Sequence, residues 1–294
     1  MNLVVGATGT LGGRIARGLL EQGKDVRILV RDPSPSVELA PMGLATAAET
    51  LVAAGAQQVR GDLTDRASLT AACAGVDTVI TTASSGKRDD SVDAVDLNGT
   101  LNLIDAAGEA GVTHFIYTSA VGSAVGHSMP MLHAKGTCEQ ALVESGLTWT
   151  ILQLSMLYEV LCSMVIGIPL RAGEPISLVG EGNHRHAYIS EADVAAFAVA
   201  AVDNAVAYNI RLEIGGPSYA WREIVDAVGQ ALGRELPVRF APPGDELPLL
   251  DPGVSSWLAA LETYEDFIDM GDAPARFGVE LTPLPAVMKQ MFGS

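Results

Sequence analysis

The run Gly6-Ala7-Thr8-Gly9-Thr10-Leu11-Gly12 stands directly after an apolar stretch, Asn2–Val5, and opens a segment with helical apolar spacing, Leu11–Gln22. Nothing else limits so strongly what this chain can fold into. A strand that turns at once into a helix needs a backbone able to bend sharply, which Gly6 supplies. Gly9 lets the main chain approach a pyrophosphate, and Gly12 lets the helix pack closely on a sheet. The amides from about Thr8 to Leu11 then face outward at a helix N-terminus, where N–H groups and dipole favour an anion. A GxxGxxG spacing alone is weak in a chain with 31 glycines. Its position between strand and helix makes it specific.

The alternation continues along the first half. Asn2–Val5, Val26–Val30, Gln58–Arg60, Thr78–Thr82, His114–Thr118 and Thr148–Leu154 read as strands. Leu11–Gln22, Glu38–Ala54, Arg66–Ala72, Asp93–Ala110 and Leu132–Ser145 read as helices between them. Such a chain is α/β, with a parallel sheet covered on both faces. After about residue 155 the rhythm changes. Ile176–Val179, Ala187–Ile189, Asn209–Ile214 and Val238–Phe240 read as short strands. Glu191–Asp203, Tyr219–Leu232, Val254–Asp269 and Pro285–Phe292 read as helices, the first with Ser190 as N-cap and Asp193 at N3. Residues 1–155 are therefore expected to form a nucleotide-binding domain and 156–294 a small α+β substrate-covering region, part of which, about 187–215, returns to the sheet.

Charge bounds the partners. Lys and Arg number 18 against 35 Asp and Glu, a net −17, which argues against a nucleic-acid surface. Attraction for a phosphate must then be local. Three widely spaced cysteines, Cys73, Cys138 and Cys162, with no CxxC, suit buried free thiols in a reducing cytosol, so a cytoplasmic location is expected. A strand starts at Asn2, so a cleaved leader would remove the glycine motif. Leu147–Leu170 is nearly all apolar, but Gln153, Ser155, Glu159 and Ser163 interrupt it, and a buried strand running into a half-buried helix is expected rather than a membrane span.

The second strand is followed by Arg31 and Asp32. The first residue after this strand reads the adenosine ribose in dinucleotide sites: an acid accepts from the 2′-hydroxyl of NAD, an Arg pairs with the 2′-phosphate of NADP. Arg31 points to NADP(H), with Asp32 a competitor if it turns inward. After the third strand, Asp62 can accept from the adenine amino group while Leu63 packs on the ring. An Asp here is equally suited to cap the next helix, and Asp62 and Asp65 can divide the two jobs between them. Thr82, Ala83 and Ser84 are small enough to line the cofactor's central ribose.

These residues resemble the atypical short-chain dehydrogenase/reductases, and more narrowly the NmrA-like and isoflavone-reductase or phenylcoumaran-ether-reductase-like branches. The match runs through Gly6, Gly9 and Gly12, Val30-Arg31, Gly61-Asp62-Leu63, Asn98-Gly-Thr-Leu-Asn-Leu and Phe115-Ile-Tyr-Thr-Ser119. It continues through His133-Ala-Lys135, the tract from Gly146 to Ser155 and Ile189-Ser-Glu-Ala-Asp-Val194. The resemblance implies a Rossmann doubly wound sheet binding NADP(H), with a small C-terminal domain closing over the nicotinamide. It implies that Ser119 stands where the superfamily keeps its catalytic serine. Lys135 matches the lysine that bonds the nicotinamide ribose and, in the ether-reductase branch, is proposed to assist proton transfer.

One departure bears on mechanism. In a Tyr-x-x-x-Lys motif the tyrosine would fall at 131, where this chain has Met131. A thioether donates no proton. Lys135 itself, His133, His127, Tyr117 or Tyr158 are the alternatives; Tyr158, just beyond the sixth strand, lies nearest the expected nicotinamide edge. The remaining alternative is a hydride step that needs no enzyme-derived proton, as with a quinone whose oxyanion is stabilised and protonated by water. Two functions stay open: an NADPH-dependent reductase acting on a hydrophobic aromatic, enone or quinone-like small molecule, and a catalytically silent NADP(H)-binding sensor. A monomer or homodimer is expected. His184 and His186 share a face of an extended segment without a third ligand, so no metal site is expected. No Gly-x-Ser-x-Gly elbow is present. Met156, Met164, Ile166 and Ile168 fit either core or a cleft wall.

Overall fold

The protein is described by a computed structural model over residues 1–31, 47–85 and 91–293. The first elements are β1 (Asn2–Val5), α1 (Thr10–Glu21), β2 (Val26–Val30), α2 (Ala48–Ala53), β3 (Gln57–Arg60) and α3 (Arg66–Cys73). Next come β4 (Thr78–Thr81), α4 (Thr100–Glu109), β5 (His114–Ala120), α5 (Pro130–Glu144), β6 (Thr148–Leu154) and β7 (Met156–Leu157). Then follow α6 (Tyr158–Cys162), α7 (Ile168–Ala172), β8 (Ile176–Val179), β9 (Arg185–Ile189), α8 (Glu191–Ala201) and β10 (Ile210–Ile214). The chain finishes with β11 (Ser218–Ala220), α9 (Trp221–Leu232), β12 (Val238–Ala241), α10 (Pro252–Leu261), α11 (Ala273–Phe277) and α12 (Leu284–Phe292).

The chain divides into two compact units and passes between them more than once. The first holds 1–154, 194–213 and 272–279; the second holds 155–193, 214–271 and 280–294. In the first, seven strands form one sheet in the order β10-β6-β5-β4-β1-β2-β3. β1 to β6 pair in parallel, with Val4 beside Ile28 on one side and Ile80 on the other. This is the α/β Rossmann arrangement. Leu3, Val4 and Val5 are all buried, as a strand covered on both faces must be. The strand order reverses between β1 and β4, so a crevice opens outside their C-terminal ends.

The unbroken helical spacing of Asp93–Ala110 predicts one α-helix, but the structure opens it with a π-helical turn, Asp93–Gly99, before α4. The widened turn puts Asp96 inside the unit, where its carboxylate accepts from the Ser84 hydroxyl (2.8 Å) and the Ser85 amide (3.0 Å). Of the helix predicted over Glu38–Ala54, the part at 38–46 lies outside the described residues, and α2 covers Ala48–Ala53.

At the opposite, N-terminal end of the sheet, His114 is 3% exposed. The Thr150 hydroxyl donates to Ala207 O (2.5 Å), so the His114 Nε2–H donates to Thr150 Oγ1 (2.8 Å) and Nδ1 has no proton. Burial pushes this imidazole down to about 4, against a pull from Asp203. Its stabilising contribution is complete above the ordinary histidine value of 6.5 and is lost as pH falls toward 4. Between about pH 7.5 and 5 unfolding free energy should drop by about 2 kcal/mol more in the wild type than in His114→Gln, read by urea midpoints. Equal slopes would refute it.

In the second unit β7, β9 and β11 form one small sheet, and β8 pairs in parallel with β12. Tyr158, Cys162, Ile166, Ile176, Tyr188, Trp221, Ile224, Val228 and Met288 are buried in its core. Ser190 caps α8 through the Asp193 amide (3.0 Å). The helix predicted over Val254–Asp269 stops at Leu261. Beyond it the chain lies along β9: Glu265 takes the Arg185 amide, the Asp266 amide donates to Arg185 O, and Asp266 takes the Ala187 amide. Hydrogen bonds to a distant strand thus overrule local apolar spacing.

Candidate functional site

The glycine turn packs against the end of β4. Gly6 has φ +88°, and a Cβ there would lie 2.7 Å from Thr82 Oγ1. A Cβ on Gly12 would run into the Gly6 carbonyl. The turn is therefore closed to any other residue at these two positions. The Gly9 amide donates within the loop to Gly6 O (2.9 Å), and Gly9 is the N-cap of α1. A phosphate at this end would meet the first-turn amides, among them Thr10, Leu11 and Gly12, and the positive end of the dipole. Thr8 lies on the same turn.

Beside the turn runs a cleft of about 140 Å³. Gly6, Thr8, Gly9, Arg31, Asp62, Leu63, Thr82, Ala83 and Ser84 line it, all of them candidates from the sequence; Val5, Leu29, Gly61 and Val95 complete it. The walls suit an anion that carries an apolar base: small residues at β1 and β4, the Arg31 cation, and Leu29, Leu63 and Val95 as the apolar side.

The two neighbouring aspartates have different jobs. Asp65 caps α3, accepting from the Ala67 and Ser68 amides. Asp62 lines the cleft, and its Oδ1 accepts from the Thr64 amide (2.8 Å) and hydroxyl (2.6 Å). Its Oδ2 lies 4.0 Å from Arg31 Nε. Partial burial would raise the Asp62 carboxyl, but the Thr64 donors, with Arg31 beyond them, hold it below the usual value. Asp32, the competitor at the ribose, lies outside the described residues. Asp96 is the residue sequence reasoning missed here. Its signal was available: an acid on the buried side of an apolar helix.

Lys135 and Ser119 meet around β5. Lys135 is 9% exposed; its Nζ donates to Thr118 O (3.0 Å) and lies 5.3 Å from the Tyr117 ring centre. Burial pushes its ammonium below the ordinary value, opposed by Asp96, Cys138 and Glu139. Ser119 donates to Glu139, one helical turn after Lys135 on α5. Met131 lies on the same face, one turn before Lys135, and is exposed.

The other proton-donor candidates have structural partners of their own. His133 Nδ1 accepts from the Gly126 amide (2.8 Å) and His127 Nδ1 from the Met129 amide (3.0 Å), so both imidazoles shape the segment before α5. Tyr117 is buried, and burial raises its phenol well above the usual range. Tyr158 belongs to the second unit, where it is 2% exposed and stacked on Tyr188 (5.2 Å), and burial again pushes the phenol up. Ile166 is buried in that same core, and Met156 and Met164, partly buried, pack against it. His186 faces Asp266 (2.7 Å) and Leu261 O (3.0 Å), while His184 lies 3.4 Å from Glu262. Among the described residues no three His, Cys, Asp or Glu side chains group as metal ligands.

Residues 6–205 match a family model described as NAD(P)H-binding. The chain belongs to this NAD(P)H-binding family. It is 32% identical over 243 residues to a photosystem II assembly factor, Ycf39, from Synechocystis sp., covering 82% of this chain and 70% of that protein. An NAD(P)H azoreductase from Xenophilus azovorans is 32% identical over 241 residues, covering 82% of this chain and 76% of the relative. Phenylcoumaran benzylic ether reductase PT1 from Pinus taeda is 25% identical over 258 residues, covering 84% and 80%. The NADP(H) complex of Citrobacter sp. triphenylmethane reductase shares the fold, with a TM-score of 0.78 at 21% identity over 99% of this chain and 100% of that one. The resemblance to the ether-reductase branch is thus borne out, and the cleft beside the glycine turn belongs to an NAD(P)H-binding fold. No helix among the described residues is long and apolar enough to cross a membrane.

Proposed function

We propose that the chain is an NADPH-dependent reductase that passes hydride to a hydrophobic aromatic, enone or quinone-like small molecule. The observation that carries the reading is Lys135, a buried amine tied to Thr118 O at the end of β5, in the same unit as the glycine cleft. When bound, the dinucleotide supplies the hydride from its nicotinamide ring. The chain orients it through the first-turn amides of α1, Arg31, Asp62, Leu63 and Thr82–Ser84, and Lys135 holds the proton that a carbonyl or quinone oxygen takes up. Val125, Met129 and Met131 are exposed between β5 and the start of α5, an apolar surface that suits an apolar acceptor. The names of the azoreductase, triphenylmethane reductase and ether reductase support an aromatic acceptor.

A second reading, an NADP(H)-binding protein without turnover, is favoured by Met131 at the tyrosine position and by the relatives named as photosystem II assembly factors. NADPH oxidation with a panel of quinones, enones and aromatic ketones separates the two. Tight binding with no turnover above a Lys135→Met control would sink the reductase.

The choice of NADPH rests on Arg31. Arg31→Ala should weaken NADPH binding by about 10- to 100-fold, the worth of a charge-assisted phosphate contact, and NADH by less than about threefold. Equal losses in a fluorescence titration would refute the 2′-phosphate assignment.

A further inference from the structure

Glu139 is 3% exposed on α5, and no part of the reading above uses it. Its Oε1 accepts from the Ser119 hydroxyl (2.5 Å) and the Gln153 amide (2.9 Å). Its Oε2 lies 3.1 Å from Gln153 Nε2 and 2.9 Å from Arg211 Nε. The donors come from β5, β6 and β10, so one carboxylate ties together the ends of three strands and a helix. A carboxylate accepts and does not donate, whereas a serine hydroxyl has a single proton. With that proton on Glu139, the Ser119 oxygen keeps only lone pairs, one facing the Ser123 hydroxyl (3.3 Å) and the other able to meet a ligand.

We propose that Glu139 is a positioning residue of the reductase site, holding Ser119 as a hydrogen-bond acceptor and leaving Lys135 to donate to the reacting molecule. The inference rests on the reductase reading. A second consequence follows from charge. Among the described residues, the anions facing the Lys135 ammonium are Asp96, from the π-helical turn, and Glu139, from its own helix. The Cys138 thiol and the Tyr117 ring also line it, and Arg211 faces Glu139 from β10. Burial already lowers the ammonium, so removing the Glu139 charge lowers it further. The site then loses its cation at a lower pH.

The test uses NADPH affinity by fluorescence and turnover with a naphthoquinone, each from about pH 6 to 10, across the range where a lowered lysine titrates. Glu139→Gln should move the alkaline limb of both down by about half a pH unit, and Glu139→Asp, which keeps the charge, should restore it. Ser119→Ala and Glu139→Gln should be non-additive, the double variant falling within about twofold of the worse single. A folded Glu139→Gln protein with an unmoved limb, or fully additive losses, would overturn the proposal. Should Glu139→Gln fail to fold, Arg211→Gln carries the test with opposite sign: the limb moves up, and an unmoved limb overturns it. Absent turnover in the wild type counts against the reductase alone, because the binding limb still reports Glu139.

Discussion

Lys135→Met is expected to lower turnover with a quinone or aromatic ketone by about 10²- to 10⁴-fold, the usual contribution of a positioned proton donor. The substitution keeps roughly the same length and apolar stem but removes the only group of this side chain that can carry a proton. Its structural cost is small by comparison. Thr118 O loses the 3.0 Å bond to Nζ, and a buried carbonyl without a donor costs about 1–3 kcal/mol. The desolvation of the ammonium is relieved at the same time. Thermal melting should therefore shift by only a few degrees while NADPH oxidation, followed by absorbance, collapses. A variant that melts normally, binds NADPH and turns over at the wild-type rate would show that water, and not Lys135, supplies the proton.

Gly12→Ala should abolish dinucleotide binding, with a loss of about 100-fold or more in NADPH affinity, through packing alone. The new methyl would meet the Gly6 carbonyl and lie 2.7 Å from Thr82 Oγ1. Backbone cannot swing aside as a flexible side chain can. Either α1 lifts from the sheet or the turn opens, and both spoil the cradle. Overpacking of this kind costs about 1–3 kcal/mol of stability. Gly108→Ala is the control, because a Cβ at that α4 position meets nothing within 4 Å. It should leave binding intact and gain about 0.5–1 kcal/mol from helix propensity. Titration of NADPH against both variants decides the matter; equal affinities would mean that the turn tolerates displacement.

The alternation of strands and helices and the glycine turn are local patterns, and local patterns are what a sequence displays. The cleft was legible for the same reason. Arg31, Asp62 and Thr82–Ser84 each come just after a strand, and parallel strands bring such positions to one end of a sheet. What escaped were arrangements made by distant partners. Glu139 and Arg211 are far apart in the chain, and nothing in either neighbourhood announces their ion pair. The π-helical turn at Asp93–Gly99 keeps the apolar spacing of an α-helix, so only the bond from Asp96 to Ser84 and Ser85 reveals the extra residue. Asp62 and Asp65 have the same composition and nearly the same position. Only the direction of the α3 amides separates the cap from the cleft residue. Tyr158 follows a strand as Ser119 ends one, yet its ring lies in the core of the second unit.

The interleaving of the two units has a consequence for synthesis. The first unit recruits residues 194–213 and 272–279 after its first 154. A nascent chain that has just completed β6 presents that strand with its outer edge unpaired, because β10 has yet to be made. Unpaired edges invite other strands. Over the same interval Glu139 lacks Arg211, its cation in the finished protein. The seventh strand thus covers the edge of β6 and brings a buried carboxylate its cation in one event. Until then, the ribosome carries a nucleotide-binding sheet whose outer edge still needs protection.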